Sequence, residues 1–227
     1  NALTVAMFAE LRAHVQQLAQ DTDRIGLVVL RGAGKCFSAG HDLADIAHGE
    51  HPPQPHFQAD TIELLANLPQ PVVTAVHGHC YTGALELALA GDLIVAAESA
   101  KFADTHARWA LVPVWGMSQR LPRRVGMAKA QEMTYTARTF SGREAEAMGL
   151  VNWCVPDAGF DAALATTARS ILANSWYSLR ANKRLYRETE GLPLRAGLSH
   201  EIHRSEGRGP DMAERIAAFM NKTSKLA

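Results

Sequence analysis

The stretch Val76-His77-Gly78-His79-Cys80-Tyr81-Thr82-Gly83-Ala84-Leu85-Glu86-Leu87 decides how this chain reads. Pro71 to Val76, just before the turn, is rich in valine and reads as a buried strand. Gly83 to Leu89 reads as a helix, ended by Gly91. Strand, turn and helix place the turn at the carboxyl end of a sheet, where ligands of α/β proteins bind. Gly83 falls in the first helical turn, where backbone N–H groups lack intrahelical acceptors and the dipole adds positive charge. Its missing Cβ lets a substrate atom approach, which suits an oxyanion hole. Taken alone, such a glycine is more often a plain helix start. Glu86 follows three residues later between Leu85 and Leu87, on a helix that is apolar nearly all round. Burial would raise its pKa and suit it to proton transfer. A structural carboxylate bridging backbone groups is an equal reading.

A second turn, Phe37-Ser38-Ala39-Gly40-His41-Asp42-Leu43, has the same character. The apolar run Ile25 to Leu30 before it reads as a strand buried on both faces, and a helix starts at Asp42. Phosphate-loop readings fail here. Phe37 stands where G-x-G-x-x-G needs its third glycine, and Lys35 is followed by Cys36 rather than Ser or Thr. No G-x-S-x-G is present, which excludes the α/β-hydrolase elbow.

Outward from these turns, Thr4 to Leu18 carries apolar residues at helical spacing behind a possible Thr4 cap. His48 to Pro55 is a polar, proline-rich loop, Asp60 to Leu68 a helix, and Leu93 to Ala97 a third buried strand. Strands alternating with helices give an α/β class with parallel pairing. After Ala162 only helices follow: Ala162–Ala173, Tyr177–Glu188, Leu194–Ser205 and Asp211–Asn221. The expected organisation is an α/β core over 1–161 and a helical C-terminal region over 162–227. The chain opens at Asn1 directly on this pattern, so N-terminal strands are expected to be missing.

The 227 residues suffice for one large core. Lys and Arg total 23 and balance 23 Asp and Glu, so no net charge draws the chain to nucleic acid or anionic membranes. No apolar run reaches the ~20 residues of a membrane span. Cys36, Cys80 and Cys154 have no C-x-x-C spacing, which argues against a disulfide framework or structural zinc. A cytoplasmic setting, no metal and no separate cofactor are expected.

These segments together resemble the enoyl-CoA hydratase/isomerase (crotonase) family over nearly the whole chain. Asn1-Ala2-Leu3 is similar to its N-A-L motif, Leu27 to Leu43 to its first oxyanion segment, and Leu68 to Glu86 to its second. Ser118-Gln119-Arg120-Leu121, Val125-Gly126 and Met148-Gly149-Leu150-Val151 match later landmarks. The resemblance implies a crotonase-like spiral of ββα units with a helical C-terminal region. It implies that the N–H groups of His41 and Gly83 hold a thioester oxygen. Ala2, Leu3, Ser38, Ala39, Asp42 and Leu43 would line the CoA pocket, with Thr82, Thr105 and Pro113 as further substrate-side positions. Coenzyme A would arrive as part of the substrate. Assembly would be a homotrimer or a dimer of trimers, with the C-terminal helices between subunits.

Hydratases of the family hold a water between two glutamates. Glu86 matches the first. Counting back from Pro113 and Gln119-Arg120-Leu121, the second position holds His106. The implied acid/base pair is therefore Glu86 with His106, which can exchange protons near neutral pH. If Asp104 or Thr105 caps a helix starting at His106, its dipole would favour the neutral imidazole; for Asp104, capping is the expected role. Thr82 and Ala84 also replace family glycines. The expected activity is addition of water to a 2-enoyl-CoA. The alternatives are another enolate reaction on an acyl-CoA (isomerisation, decarboxylation or C–C cleavage) and acyl-CoA binding without turnover. His77-x-His79 implies no metal site, Trp109, Trp115 and Tyr81 read as pocket wall or interface, and Arg120, Arg123 and Arg124 as a solvated basic face.

Overall fold

In the computed structural model, which describes residues 1–223, a two-residue strand Ala2–Leu3 (β1) leads into helix Val5–Gln20 (α1). Thr4 starts this helix by accepting a hydrogen bond from the N–H of Met7, a cap worth about 1 kcal/mol. The apolar stripe expected from the spacing buries Phe8 and Val15. The chain continues through Val28–Arg31 (β2), Gly40–His41 (β3), Leu43–His48 (α2), Phe57–Ala66 (α3) and Val72–Val76 (β4). Then come His79–Tyr81 (β5), Gly83–Ala88 (α4), Leu93–Ala97 (β6), Lys101–Ala103 (β7) and a 3-10 turn at His106–Trp109.

Strands β4 and β6 lie side by side and parallel, and β5 and β7 pair in parallel in a second sheet. The passes β4-β5-α4 and β6-β7 with its 3-10 turn each lay one strand in the first sheet, one in the second, and then a helix or helical turn, while β3 of the preceding pass pairs with β1 instead. That is the spiral of ββα units. Helices Met117–Val125 (α5) and Met127–Thr136 (α6) precede Phe140–Ser141 (β8), Gly142–Ala147 (α7) and Trp153–Val155 (β9). The first sheet has order β2-β4-β6-β9, all parallel, and the second has order β5-β7-β8 with β8 antiparallel.

β4 is buried at every position, Thr74 included, as the reading of a buried strand expects. β2 corrects the same reading. It is an edge strand with a single neighbour, and Val29 is 40% exposed. A short apolar run does not distinguish a central strand from an edge one. The third helix also starts earlier than expected, at Phe57 rather than Asp60.

Helices Phe160–Leu172 (α8), Trp176–Thr189 (α9), Leu194–Arg204 (α10) and Met212–Thr223 (α11) complete the chain. Residues 224–227 of the expected helical region lie outside the described residues. α8 packs Phe160, Leu164 and Ile171 against Val73, Ala75, Val95 and Ala97, so the first C-terminal helix covers one face of the parallel sheet. α9 is fixed by Lys183, whose Nζ lies 2.7 Å from Asp92 Oδ2 and donates to Gln70 O at 2.9 Å. Among the described residues, no helix is long and apolar enough to cross a membrane.

Candidate active site

β3 carries the first functional nitrogen. It pairs in parallel with β1, setting Ala2 opposite Gly40 and Leu3 opposite His41. Ser38 Oγ donates to Asn1 O (2.6 Å) and accepts from Gly40 N (3.1 Å), while Asn1 Nδ2 donates to Ala33 O and Cys36 O. The N-terminal segment thus braces the strand that presents His41. Asp42 ends that strand by capping α2 through the N–H of Ala44 at 2.8 Å.

α4 carries the second nitrogen and the buried acid. Gly83 opens the helix, as its sequence position predicts. A Cβ there would lie 2.6 Å from the Trp115 ring and 3.3 Å from His41 N. Gly40 has φ +103, and a Cβ on it would meet Tyr81 O at 2.6 Å and lie 3.6 Å from Gly83 N. The two turns therefore bring the His41 and Gly83 nitrogens together in a space that side chains would fill. Trp115 closes it, its ring centroid 4.6 Å from that of His41.

All six residues of α4 are buried, and Glu86 is 1% exposed. Its Oε1 accepts from Trp115 N (2.9 Å) and Met117 N (3.0 Å). Burial raises the Glu86 pKa; the two N–H groups and the neighbouring imidazole pull the other way without cancelling it. Oε1 is tied to the backbone, as the structural reading expects, and Oε2 faces His106. Nε2 of His106 lies 3.6 Å from Oε2, within ion-pair range but longer than a hydrogen bond.

On its other side, His106 Nδ1 is 2.7 Å from Asp104 Oδ1. Asp104 Oδ1 also accepts from His106 N at 3.2 Å, and Oδ2 accepts from Thr134 Oγ1 at 2.8 Å. Burial pushes this carboxyl up, but the bonds from His106 and Thr134 outweigh it and hold Asp104 below the ordinary range. An ionised Asp104 accepts the Nδ1 proton, which leaves Nε2 toward Glu86. The helix expected to start at His106 does so, but it is not an α-helix. The helix is a four-residue 3-10 turn with little dipole, and the Asp104 side chain does the orienting.

His41, Gly83, Glu86, His106 and Trp115 line a cavity of about 760 Å³ together with Ala39, Leu43, Thr82, Thr105, Trp109 and Tyr81. Val112 and Val114 stand in its wall on either side of Pro113. Ala2, Leu3, Ser38 and Asp42 are not among the lining residues: the first two pair with β3, Ser38 braces Gly40, and Asp42 caps α2. Sequence reasoning missed Glu50, which bonds to His41 Nε2 and accepts from Gln58 Nε2 at 2.9 Å. It lies in a polar loop with no periodic signal. The basic run is corrected as well. Arg120 donates to Trp115 O at 3.0 Å and Arg124 to Leu150 O at 2.9 Å, so these two pin loops, while Arg123 faces solvent as expected.

Residues 1–224 match the family model described as enoyl-CoA hydratase/isomerase. The chain belongs to the enoyl-CoA hydratase/isomerase family. A probable enoyl-CoA hydratase of Mycobacterium bovis is 33% identical over 98% of this chain and 87% of its own length. The 1,2-epoxyphenylacetyl-CoA isomerase of Escherichia coli is 32% identical over 99% of this chain and 88% of its own. The crystal structure of an enoyl-CoA hydratase from Bacillus anthracis superposes with a TM-score of 0.90 at 34% identity, over 97% of this chain and 88% of that one. The fold of this hydratase/isomerase family member is the crotonase fold.

Proposed function

We propose that the chain adds water to 2-enoyl-CoA thioesters, with Glu86 and His106 transferring the protons. The observation that carries this reading is the 3.6 Å approach of His106 Nε2 to Glu86 Oε2 beside the paired His41 and Gly83 nitrogens. A water oxygen about 2.8 Å from both atoms makes a hydrogen bond to each. Glu86 takes a proton from that water as its oxygen bonds to Cβ of the acyl group. The C=C electrons move onto the thioester oxygen, where two N–H groups stabilise the enolate. Cα then takes a proton from Nε2 of His106, and Asp104 on Nδ1 is the counter-ion of the imidazolium. Glu86 returns its proton to Nε2 across the 3.6 Å gap, so one water is consumed and the site is restored.

The test is loss of the conjugated-thioester absorbance of crotonyl-CoA. Turnover that collapses in Glu86→Gln supports the proposal. Binding of crotonyl-CoA without turnover contradicts it. A second copy of the chain is the partner we assign to α10, where Leu194, Leu198 and Ile202 recur every fourth residue and are 79%, 50% and 71% exposed. A trimer or a pair of trimers is the assembly expected by light scattering; a monomer would contradict it.

A further inference from the structure

Thr82 stands immediately before the Gly83 nitrogen, with φ 53 and ψ −110. A β-branched residue at positive φ is a strained outlier. The orientation of the Gly83 N–H belongs to the peptide plane between residues 82 and 83, and ψ of Thr82 sets that plane. The residue that aims one oxyanion donor is therefore held in a conformation that it would not adopt by itself.

What holds it there is on the same side of the cavity. Thr82 N donates to Ala103 O at 2.8 Å, and Thr82 O accepts from Glu86 N at 3.0 Å. The side chain adds two more bonds: its Oγ1 accepts from Thr105 N at 3.1 Å and lies 2.5 Å from Thr105 Oγ1. Thr105 separates Asp104 from His106. The two hydroxyls thus tie the aim of the Gly83 donor to the segment that carries the imidazole.

We infer that Thr82 and Thr105 form a positioning clasp that locks the oxyanion donor at Gly83 in register with the Asp104–His106 pair. This rests on the reading of the His41 and Gly83 nitrogens as the thioester-oxygen site. A clasp of this kind acts on the transition state more than on the ground state. Its loss lowers kcat with little change in KM. Displacements well under 1 Å suffice, because misplacing a reacting group by about 1 Å can cost about 100-fold.

The experiment compares Thr82→Val, Thr82→Ser and Thr105→Val by crotonyl-CoA hydration. It also measures the absorption shift of bound 4-dimethylaminocinnamoyl-CoA, whose long-wavelength band moves to the red when its thioester oxygen is hydrogen-bonded. The expected result is a red shift with the native protein, and a smaller one in Thr82→Val and Thr105→Val. Their kcat should fall about 10- to 100-fold at nearly unchanged KM, while Thr82→Ser retains both properties. Thr105→Val changes a residue with ordinary φ, so it answers the question even if Thr82→Val folds poorly. A native red shift and kcat preserved in both valine variants would overturn the clasp and leave the oxyanion reading intact. No red shift with the native protein would overturn both.

Discussion

Asp104 Oδ1 lies 2.7 Å from Nδ1 of His106, both residues are buried, and Asp104 Oδ2 accepts from the α6 hydroxyl of Thr134 at 2.8 Å. This contact makes His106 a directed group. It fixes which nitrogen faces Glu86 and supplies negative charge behind the ring. Replacing the carboxylate by an amide keeps the shape and removes both effects. Asp104→Asn is expected to lower kcat for crotonyl-CoA by about 100-fold or more, with far-ultraviolet circular dichroism unchanged. An unaltered kcat would reduce Asp104 to a cap.

Glu86 must be ionised to accept a proton, and burial sets its pKa above the ordinary carboxylate value. The acid limb of kcat/KM is therefore expected above the range of an exposed glutamate, and the rate rises as pH rises through it. Folding carries the opposite sign. A group that binds its proton more tightly when folded favours the folded state at low pH and loses that advantage as pH rises through its folded pKa. Urea titrations of Glu86→Gln against the native chain should show the variant gaining relative stability as pH increases across that interval. A constant difference would contradict the assignment.

Gly83→Ala places a methyl 2.6 Å from the Trp115 ring and 3.3 Å from His41 N. The ring, wedged against Phe8 at 5.0 Å, has little room to retreat. Loss of one aimed donor costs about 100- to 1000-fold in kcat. Steady-state kinetics with thermal melts should find that loss with a folded protein.

The Lys183–Asp92 pair ties α9 to the parallel sheet. Burial lowers the Lys183 pKa and Asp92 opposes that shift. Asp92→Ala leaves the ammonium uncompensated and removes the acceptor of Val72 N. A loss of about 3–5 kcal/mol is expected, read as a lower urea midpoint. A loss under about 1 kcal/mol would place this pair with surface ion pairs.

Much of the site was legible because its parts are local in sequence. A helix starting at Gly83, with an acid one turn later among apolar neighbours, is expected to bury that acid, and Glu86 is buried. Asp104 reads from the sequence as a cap; that its carboxylate also takes Nδ1 of His106 and is held by Thr134, thirty residues away, no local pattern shows. The backbone bonds to Glu86 come from Trp115 and Met117, and no spacing rule links them to α4. β2 was misjudged for the same reason. Its apolar run is genuine, but whether a strand sits at an edge is decided by which strands the rest of the chain supplies. Glu50 lay in a segment without periodicity, and only folding sets it against His41.

We propose that His106 carries a proton at the position where the resemblance to the family's hydratases places a second glutamate. The most direct test is kcat for crotonyl-CoA hydration by His106→Ala, measured beside its affinity for the same thioester. The expected result is a loss of about 100-fold or more in kcat with affinity nearly unchanged. A kcat equal to that of the native chain would contradict the claim.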